Sequence, residues 1–277
     1  MKKALNFAVV GGDERQIFAA KRLYERGHKA ELFMQADGKP YAALKETQAD
    51  VYLLPIPLTR DGKTIFAPKS EEKIEISSFL QDIPQEALLF AGGTADFSDA
   101  RLIDYAKNED FALYNAIPTA EGALLLALQN LGRTVCGEQT AVIGFGKVGR
   151  ETARIFHAVG ARVTVFARRK EIREEARLLG YETADISELS ARAGNYGLWL
   201  NTVPARIFDD SVLSAVPKNA LLLELASAPY GFDLGEARAF GLHAILAGGL
   251  PGRFFPETAG VAVADTVLNI IKKGEYV

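Results

Sequence analysis

Cysteine is nearly absent. Cys136 stands alone in 277 residues, so no intramolecular disulfide can form and no thiolate-rich metal site can be built. Histidine is almost as scarce: His28, His157 and His243 are scattered without ligand spacing, so no metal is expected. His157 falls inside a helical pattern, and His28 and His243 precede strands, so none of the three is given a role. Charge of one sign is also lacking. The 32 Lys and Arg against 35 Asp and Glu leave −3, which points to neither nucleic acid nor a membrane as partner. No uninterrupted apolar stretch approaches the roughly 18 residues that cross a bilayer. The opening MKKALNFAVV starts as a signal peptide would, but its apolar run stops at Gly11-Gly12-Asp13 and reads as a first strand. A cytoplasmic protein is expected. Internal repeats beyond a shared βα rhythm, and low-complexity segments, are missing as well.

What is present is ordinary for a globular chain, with 48% hydrophobic and 24% charged residues, and the length favours two domains. Leu5–Val10, Ala30–Phe33, Val51–Leu54 and Leu88–Ala91 are short apolar runs, and Arg15–Arg26 has helical spacing between the first two. Short buried strands alternating with helices argue for a parallel sheet covered on both faces. A polar stretch with turn residues Asp61-Gly62 lies between the third and fourth strands. Pro118 opens a long apolar helix, Thr119–Leu131, ended by Gly132. The rhythm then resumes with strands expected at Gln139–Phe145, Arg162–Ala167, Leu198–Thr202, Ala220–Leu225 and His243–Leu246, and a helix at Gly149–Val159. A final helix, Thr258–Lys273, has Val261, Ala264, Val267, Leu268 and Ile271 on one face. The fold class is α/β, with two Rossmann- or flavodoxin-like doubly wound parallel-sheet domains joined by a linker helix. The expected divisions are 1–117 for a flavodoxin-like substrate domain, 118–138 for the linker region and 139–256 for a Rossmann domain. Residues 257–277 then return to the N-terminal domain beside the linker helix, with Pro251-Gly252 and Pro256 marking the crossover.

Gly144-Phe145-Gly146-Lys147-Val148-Gly149 is a GxGxxG that follows a strand and opens a helix, the context in which the pattern reads as a dinucleotide site. Gly144 permits the tight turn, Gly146 lets backbone N–H groups approach a diphosphate, and Gly149 lets the helix pack on the strand. Past the next strand, an NAD site usually carries an acid for the ribose 2′-hydroxyl. Here Arg168-Arg169 stand instead, suited to a 2′-phosphate, and NADP is the expected cofactor. A solvated basic helix start is the alternative. Thr202-Val203-Pro204 ends a strand at the same edge and is expected to border the nicotinamide ribose, although a plain strand-end turn would read alike.

The layout is that of the D-2-hydroxyacid dehydrogenases, but their substrate-binding Arg and acid/base His are missing. The stretches where they belong read Leu223-Glu224-Leu225-Ala226-Ser227-Ala228-Pro229 and Leu246-Ala247-Gly248-Gly249-Leu250-Pro251-Gly252-Arg253. Gly11-Gly12-Asp13-Glu14-Arg15-Gln16, Pro118-Thr119-Ala120-Glu121-Gly122, Leu250-Pro251-Gly252-Arg253 and Pro256-Glu257-Thr258-Ala259-Gly260 resemble the A subunit of dipicolinate synthase instead, in order and spacing along essentially the whole chain. Arg253-Phe254-Phe255 departs from that pattern, which commonly has smaller, less aromatic residues. The resemblance implies an NADP-linked oxidoreductase in the mother-cell cytoplasm of a spore-former. It would make pyridine-2,6-dicarboxylate from 4-hydroxytetrahydrodipicolinate with a flavoprotein-like B subunit; a homo-oligomer is compatible with it.

For such a cyclic dicarboxylate, Arg15 at a helix start is the first cationic candidate, with Arg60 and Arg253 next. Thr119 joins them as substrate-binding. Glu121 is the acid to test first for proton transfer, and Ser227, on a strand-end loop, is the second catalytic candidate. Thr119 and Glu121 read equally well as helix-capping residues. Two other readings stay open: an NADP(H)-binding regulatory or scaffolding component of that complex, and a dehydrogenase of another small carboxylic acid.

Overall fold

Short apolar runs bounded by glycine and proline become the strands of two parallel sheets, one in each of two units. A computed structural model describes residues 4–94, 97 and 99–274. Unit 1 comprises Met1–Asn115 with Pro251–Val277, and unit 2 comprises Ala116–Leu250.

Unit 1 runs β1 (Asn6–Val10), α1 (Glu14–Glu25), β2 (Lys29–Phe33), α2 (Tyr41–Leu44), β3 (Val51–Leu53), α3 (Ile76–Asp82), β4 (Leu88–Ala91) and β5 (Leu102–Asp104). The order across its parallel sheet is β2-β1-β3-β4-β5, the flavodoxin-like arrangement. Side chains alternate across each strand, so β1 feeds two cores. Phe7 and Val9 join Ala19, Leu23, Leu53 and Phe90 on one face, and Ala8 and Val10 join Tyr52, Phe79 and Leu89 on the other.

The helix α4 (Glu109–Asn130) carries the chain from unit 1 into unit 2. It begins well before Pro118, which corrects the helix start read from the sequence. Asn108 Oδ1 accepts from the backbone N of Asp110 (3.0 Å) and of Phe111 (3.3 Å), and Glu109 and Asp110 place negative charge in the first turn. Pro118 is therefore interior; the burial of Ala116, Ala120, Ala123, Leu126 and Ala127 holds the helix through it. This helix is also long and apolar enough, by length and composition, to cross a membrane, although half of its most apolar window is buried. Thr119 and Glu121 lie inside the helix and not at its start, so the capping reading of both falls.

Unit 2 continues with β6 (Gln139–Ile143), α5 (Lys147–Ala158), β7 (Arg162–Phe166), α6 (Lys170–Leu178), β8 (Glu182–Ala184), α7 (Leu189–Arg192), β9 (Leu198–Asn201), α8 (Asp210–Ala215), β10 (Leu221–Glu224), α9 (Leu234–Ala239) and β11 (His243–Leu246). Its parallel sheet has the order β11-β10-β9-β6-β7-β8, which is the doubly wound Rossmann order. Phe166, Tyr196, Trp199, Phe208 and Phe232 form a chain of aromatic contacts beside it, with centroid separations of 5.4–5.6 Å between successive rings.

The chain re-enters unit 1 through α10 (Leu250–Phe254) and ends in α11 (Pro256–Lys273). Val263, Ala264, Val267 and Ile270 complete the core formed by Phe7, Val9 and Leu23, which also takes in Phe111 from the first turn of α4. Contact with α1 is backbone-close: a Cβ on Gly260 would stand 2.4 Å from the Arg15 carbonyl and 2.7 Å from Phe18 Cβ. Arg22 grips Asp265 of α11 with Nε and one terminal nitrogen, at 3.1 and 2.9 Å, and Arg26 adds a contact at 3.1 Å. Gly260→Val should therefore force the two helices apart. The expected loss is about 1–3 kcal/mol, read as a lower midpoint in urea unfolding; an unchanged midpoint would refute this close packing.

Candidate functional site

After β6 the chain turns at Gly144, whose φ of 90° suits glycine. Gly149, in the first turn of α5, lies so near the strand end that a Cβ there would sit 2.3 Å from the Gly144 carbonyl oxygen. Thr202, just past β9, donates to the Ile143 carbonyl from its backbone N (3.0 Å) and its Oγ1 (2.7 Å). β6 and β9 are neighbours where the strand order reverses, so the glycine loop and Thr202-Val203-Pro204 border one crevice at the carboxyl ends of the strands. Within the loop, Phe145 is buried against Tyr181, with Arg150 over its ring at 4.6 Å. Gly146 caps α5 in extended conformation with no side-chain cap, and no heavy atom lies within 4 Å of where its Cβ would be. A twelve-residue helix thus starts at a glycine beside open space, and a helix N-terminus approached by bare backbone fits a diphosphate.

One strand over, Arg168 and Arg169 lie in the turn between β7 and α6, both exposed. The arginines of the flanking helices are all paired. Arg150 meets Glu175 (2.7 Å), Arg154 meets Glu151 (2.5 Å), Arg173 meets Asp185 (2.5 Å) and Arg177 meets Glu174 (2.5 Å). The guanidinium groups of Arg168 and Arg169 make no ion pair or hydrogen bond among the described residues. Two adjacent cations without counter-charge fit a phosphate ligand.

The arginines expected to hold substrate gather by segment around the turn after β1. Arg15 is buried. Its Nε donates to Asp13 Oδ1 and one terminal nitrogen to Asp13 Oδ2, each at 2.8 Å, and that nitrogen also reaches the Ile56 carbonyl at 2.5 Å. One edge of the guanidinium is therefore occupied and its charge offset, an arrangement the isolated helix-start position did not suggest. Gly252 packs on this pair, since a Cβ there would stand 2.5 Å from Arg15 Nε. Its neighbour Arg253 is exposed and lies over Phe254, 4.7 Å from the ring centre. Arg60 is exposed and stacks on Phe66 at 4.2 Å, and the Phe66 carbonyl accepts from Gly12 N at 2.6 Å. In unit 2, Thr119 is buried, whereas Glu121 and Ser227 are exposed.

Glu224 escaped the sequence reading. It closes β10 and is fully buried, and its carboxylate accepts from Asn201 Nδ2 at 2.7 and 2.9 Å, Ala226 N at 3.0 Å and Gly231 N at 2.8 Å. Asn201 also reaches both main-chain groups of Val203, accepting from its N at 3.2 Å and donating to its O at 3.0 Å. The pair thus ties the Thr202–Pro204 turn to the loop that carries Ser227. The available signal was a single acid in the apolar run Ala220–Leu225. Among the described residues no cluster of His, Cys, Asp or Glu could hold a metal.

Fold and site together define a dehydrogenase-type protein with a dinucleotide-binding unit. Residues 120–230 match the NAD-binding domain of D-isomer-specific 2-hydroxyacid dehydrogenases, which makes a nicotinamide dinucleotide the cofactor class. Residues 6–116 match the N-terminal domain of the dipicolinate synthase A subunit. The chain is 31% identical over 290 residues to the A subunit of dipicolinate synthase from Bacillus subtilis (strain 168), across 98% of this chain and 97% of that protein. The crystal structure of the corresponding protein from Bacillus halodurans superposes with a TM-score of 0.86 at 30% identity, covering 97% of this chain and 99% of that one. The Bacillus subtilis structure gives 0.82 at 30% identity, over 99% and 98%. The chain belongs to the family of dipicolinate synthase A subunits.

Burial pushes the Glu224 carboxyl above its ordinary value of 4.5, against the opposing pull of its donors. A raised carboxyl holds its proton more tightly folded than unfolded, so its contribution to stability falls as pH climbs from the ordinary Glu range through the raised value, then levels. Glu224→Gln removes that slope. The difference in melting temperature, wild type minus variant, should decline with rising pH across this window. A difference that rises with pH would overturn the assignment.

Proposed function

We propose that this chain is the NADP-linked oxidoreductase component that forms pyridine-2,6-dicarboxylate from 4-hydroxytetrahydrodipicolinate. It acts with a flavoprotein-like B subunit in the mother-cell cytoplasm of a spore-former. The observation that carries the reading is a family likeness running through both units, including the N-terminal domain that the general dehydrogenase match leaves out. Loss of water and then of a hydride and a proton leaves an aromatic ring, so aromatisation drives the reaction. When bound, the nicotinamide supplies the hydride acceptor. This chain's own residues bind and orient: the α5 N-terminus takes the diphosphate, Arg168 and Arg169 the 2′-phosphate, and Thr202–Pro204 border the nicotinamide ribose. Arg15, Arg60, Arg253 and Thr119 are proposed for the two ring carboxylates. Glu121 and Ser227 are the groups to test for proton movement. In this role Arg15 offers only what Asp13 leaves of its guanidinium.

That offset charge favours one second reading, in which the chain binds NADP(H) and its partner does the chemistry. Incubating the chain, alone and with a B subunit, with the hydroxytetrahydrodipicolinate mixture and NADP+ tests the first reading. Dipicolinate formed with both proteins present, and lost when Arg168 and Arg169 are replaced here, is the expected result. Formation by the B subunit without this chain would sink the first reading.

Cofactor choice has a direct test. Arg168→Ala should weaken NADPH roughly ten- to a hundredfold, the loss of a charge-assisted contact to phosphate, and leave NADH nearly unchanged. Equal losses for both cofactors in fluorescence titrations would reject the 2′-phosphate role.

A further inference from the structure

We infer that Arg173, backed by Asp185, is the positioning residue that makes the Arg168-Arg169 turn selective for a 2′-phosphorylated dinucleotide. The inference rests on the NADP reading above and moves from the residues that would touch the ligand to the one that holds them.

Arg168 and Arg169 are long, flexible side chains on an exposed turn. Gripping an anion costs them rotamer freedom, and the cost grows if the backbone beneath them is also loose. That backbone is strapped. One terminal nitrogen of Arg173 donates to the carbonyls of both Ala167 and Arg168, each at 2.7 Å, and the same nitrogen lies 2.5 Å from Asp185 Oδ2. Arg173 sits one turn into α6, where its backbone N donates to the Arg169 carbonyl at 3.2 Å. Its side chain therefore folds back over the turn that starts its own helix.

Asp185 is itself fixed. Its Oδ1 accepts from Ser187 N (3.0 Å) and Ser187 Oγ (2.8 Å), and its backbone N donates to Glu188 Oε1 (2.9 Å), a reciprocal capping box. From the strand side, Ala167 N donates to the Ala184 carbonyl at 3.1 Å. The turn is thus tied to the end of β8 through main chain and through Arg173. The charges divide accordingly. Arg173 has its charge offset by Asp185, whereas Arg168 and Arg169 keep theirs, so the paired arginine orders the two unpaired ones without competing for an anion.

The test is titration of the full-length chain with NADPH and with NADH, followed by nicotinamide fluorescence, beside a thermal melt. Arg173→Met and Asp185→Asn should each lower the NADPH:NADH affinity ratio about three- to tenfold, with NADH affinity little changed. In an Arg168→Ala/Arg169→Ala background, Arg173→Met should change the ratio no further. A merely structural residue would weaken both cofactors alike. If Arg173→Met does not fold, Asp185→Asn carries the test. A ratio that Arg168→Ala lowers but Arg173→Met and Asp185→Asn leave intact overturns the positioning role. An effect of Arg173→Met that persists in the double-alanine background also overturns it, because Arg173 would then touch the phosphate itself. A ratio insensitive to Arg168→Ala/Arg169→Ala rejects the NADP reading, and this inference with it.

Discussion

Backbone packed against backbone, with no room for a single Cβ, is the constraint on which both units depend. In unit 2, α5 can approach β6 only because Gly149 meets the Gly144 carbonyl without a side chain between them. That approach aims the first turn of the helix at the crevice beside Thr202. In unit 1 the same economy at Gly260 lets α11 lie on α1 and close one face of the sheet. A methyl group at either position would displace main chain. Main chain yields far less readily than a side chain that can turn aside, because interiors are close-packed.

Charge follows a comparable logic around the dinucleotide crevice. Arginine is abundant on α5 and α6, yet Arg150, Arg154, Arg173 and Arg177 all spend their charge on nearby carboxylates. Most of these pairs are exposed enough that each adds little stability. Arg168 and Arg169, in the turn before α6, are left without a carboxylate among the described residues. Removing competitors is as useful to selectivity as adding a ligand.

The sequence made the parallel strands readable because strands buried on both faces are nearly unbroken apolar runs, as in β6, β9 and β10. The two strands it hid, β5 and β8, are three-residue sheet edges, partly exposed and mixed in polarity. Pro118 was misleading because local propensity places a helix start there, while tertiary burial carries α4 through it. The glycine loop and the arginine turn were legible as motifs, since neighbouring residues carry them. Glu224 with Asn201, Arg15 with Asp13 and Ile56, and Arg173 with Asp185 were not. Each depends on which side chains the fold brings together, and spacing alone does not encode that.

Unit 1 is discontinuous, and this has a bearing on synthesis. Val263, Ala264, Val267 and Ile270, which cover the α1 face of the N-terminal sheet, follow the whole of unit 2 in the chain. A ribosome finishes all of Ala116–Leu250 before it reaches them. The nucleotide unit can therefore complete its core on the nascent chain, while the sheet made first waits with an apolar face uncovered. Order of emergence and order of completion are therefore reversed between the two units.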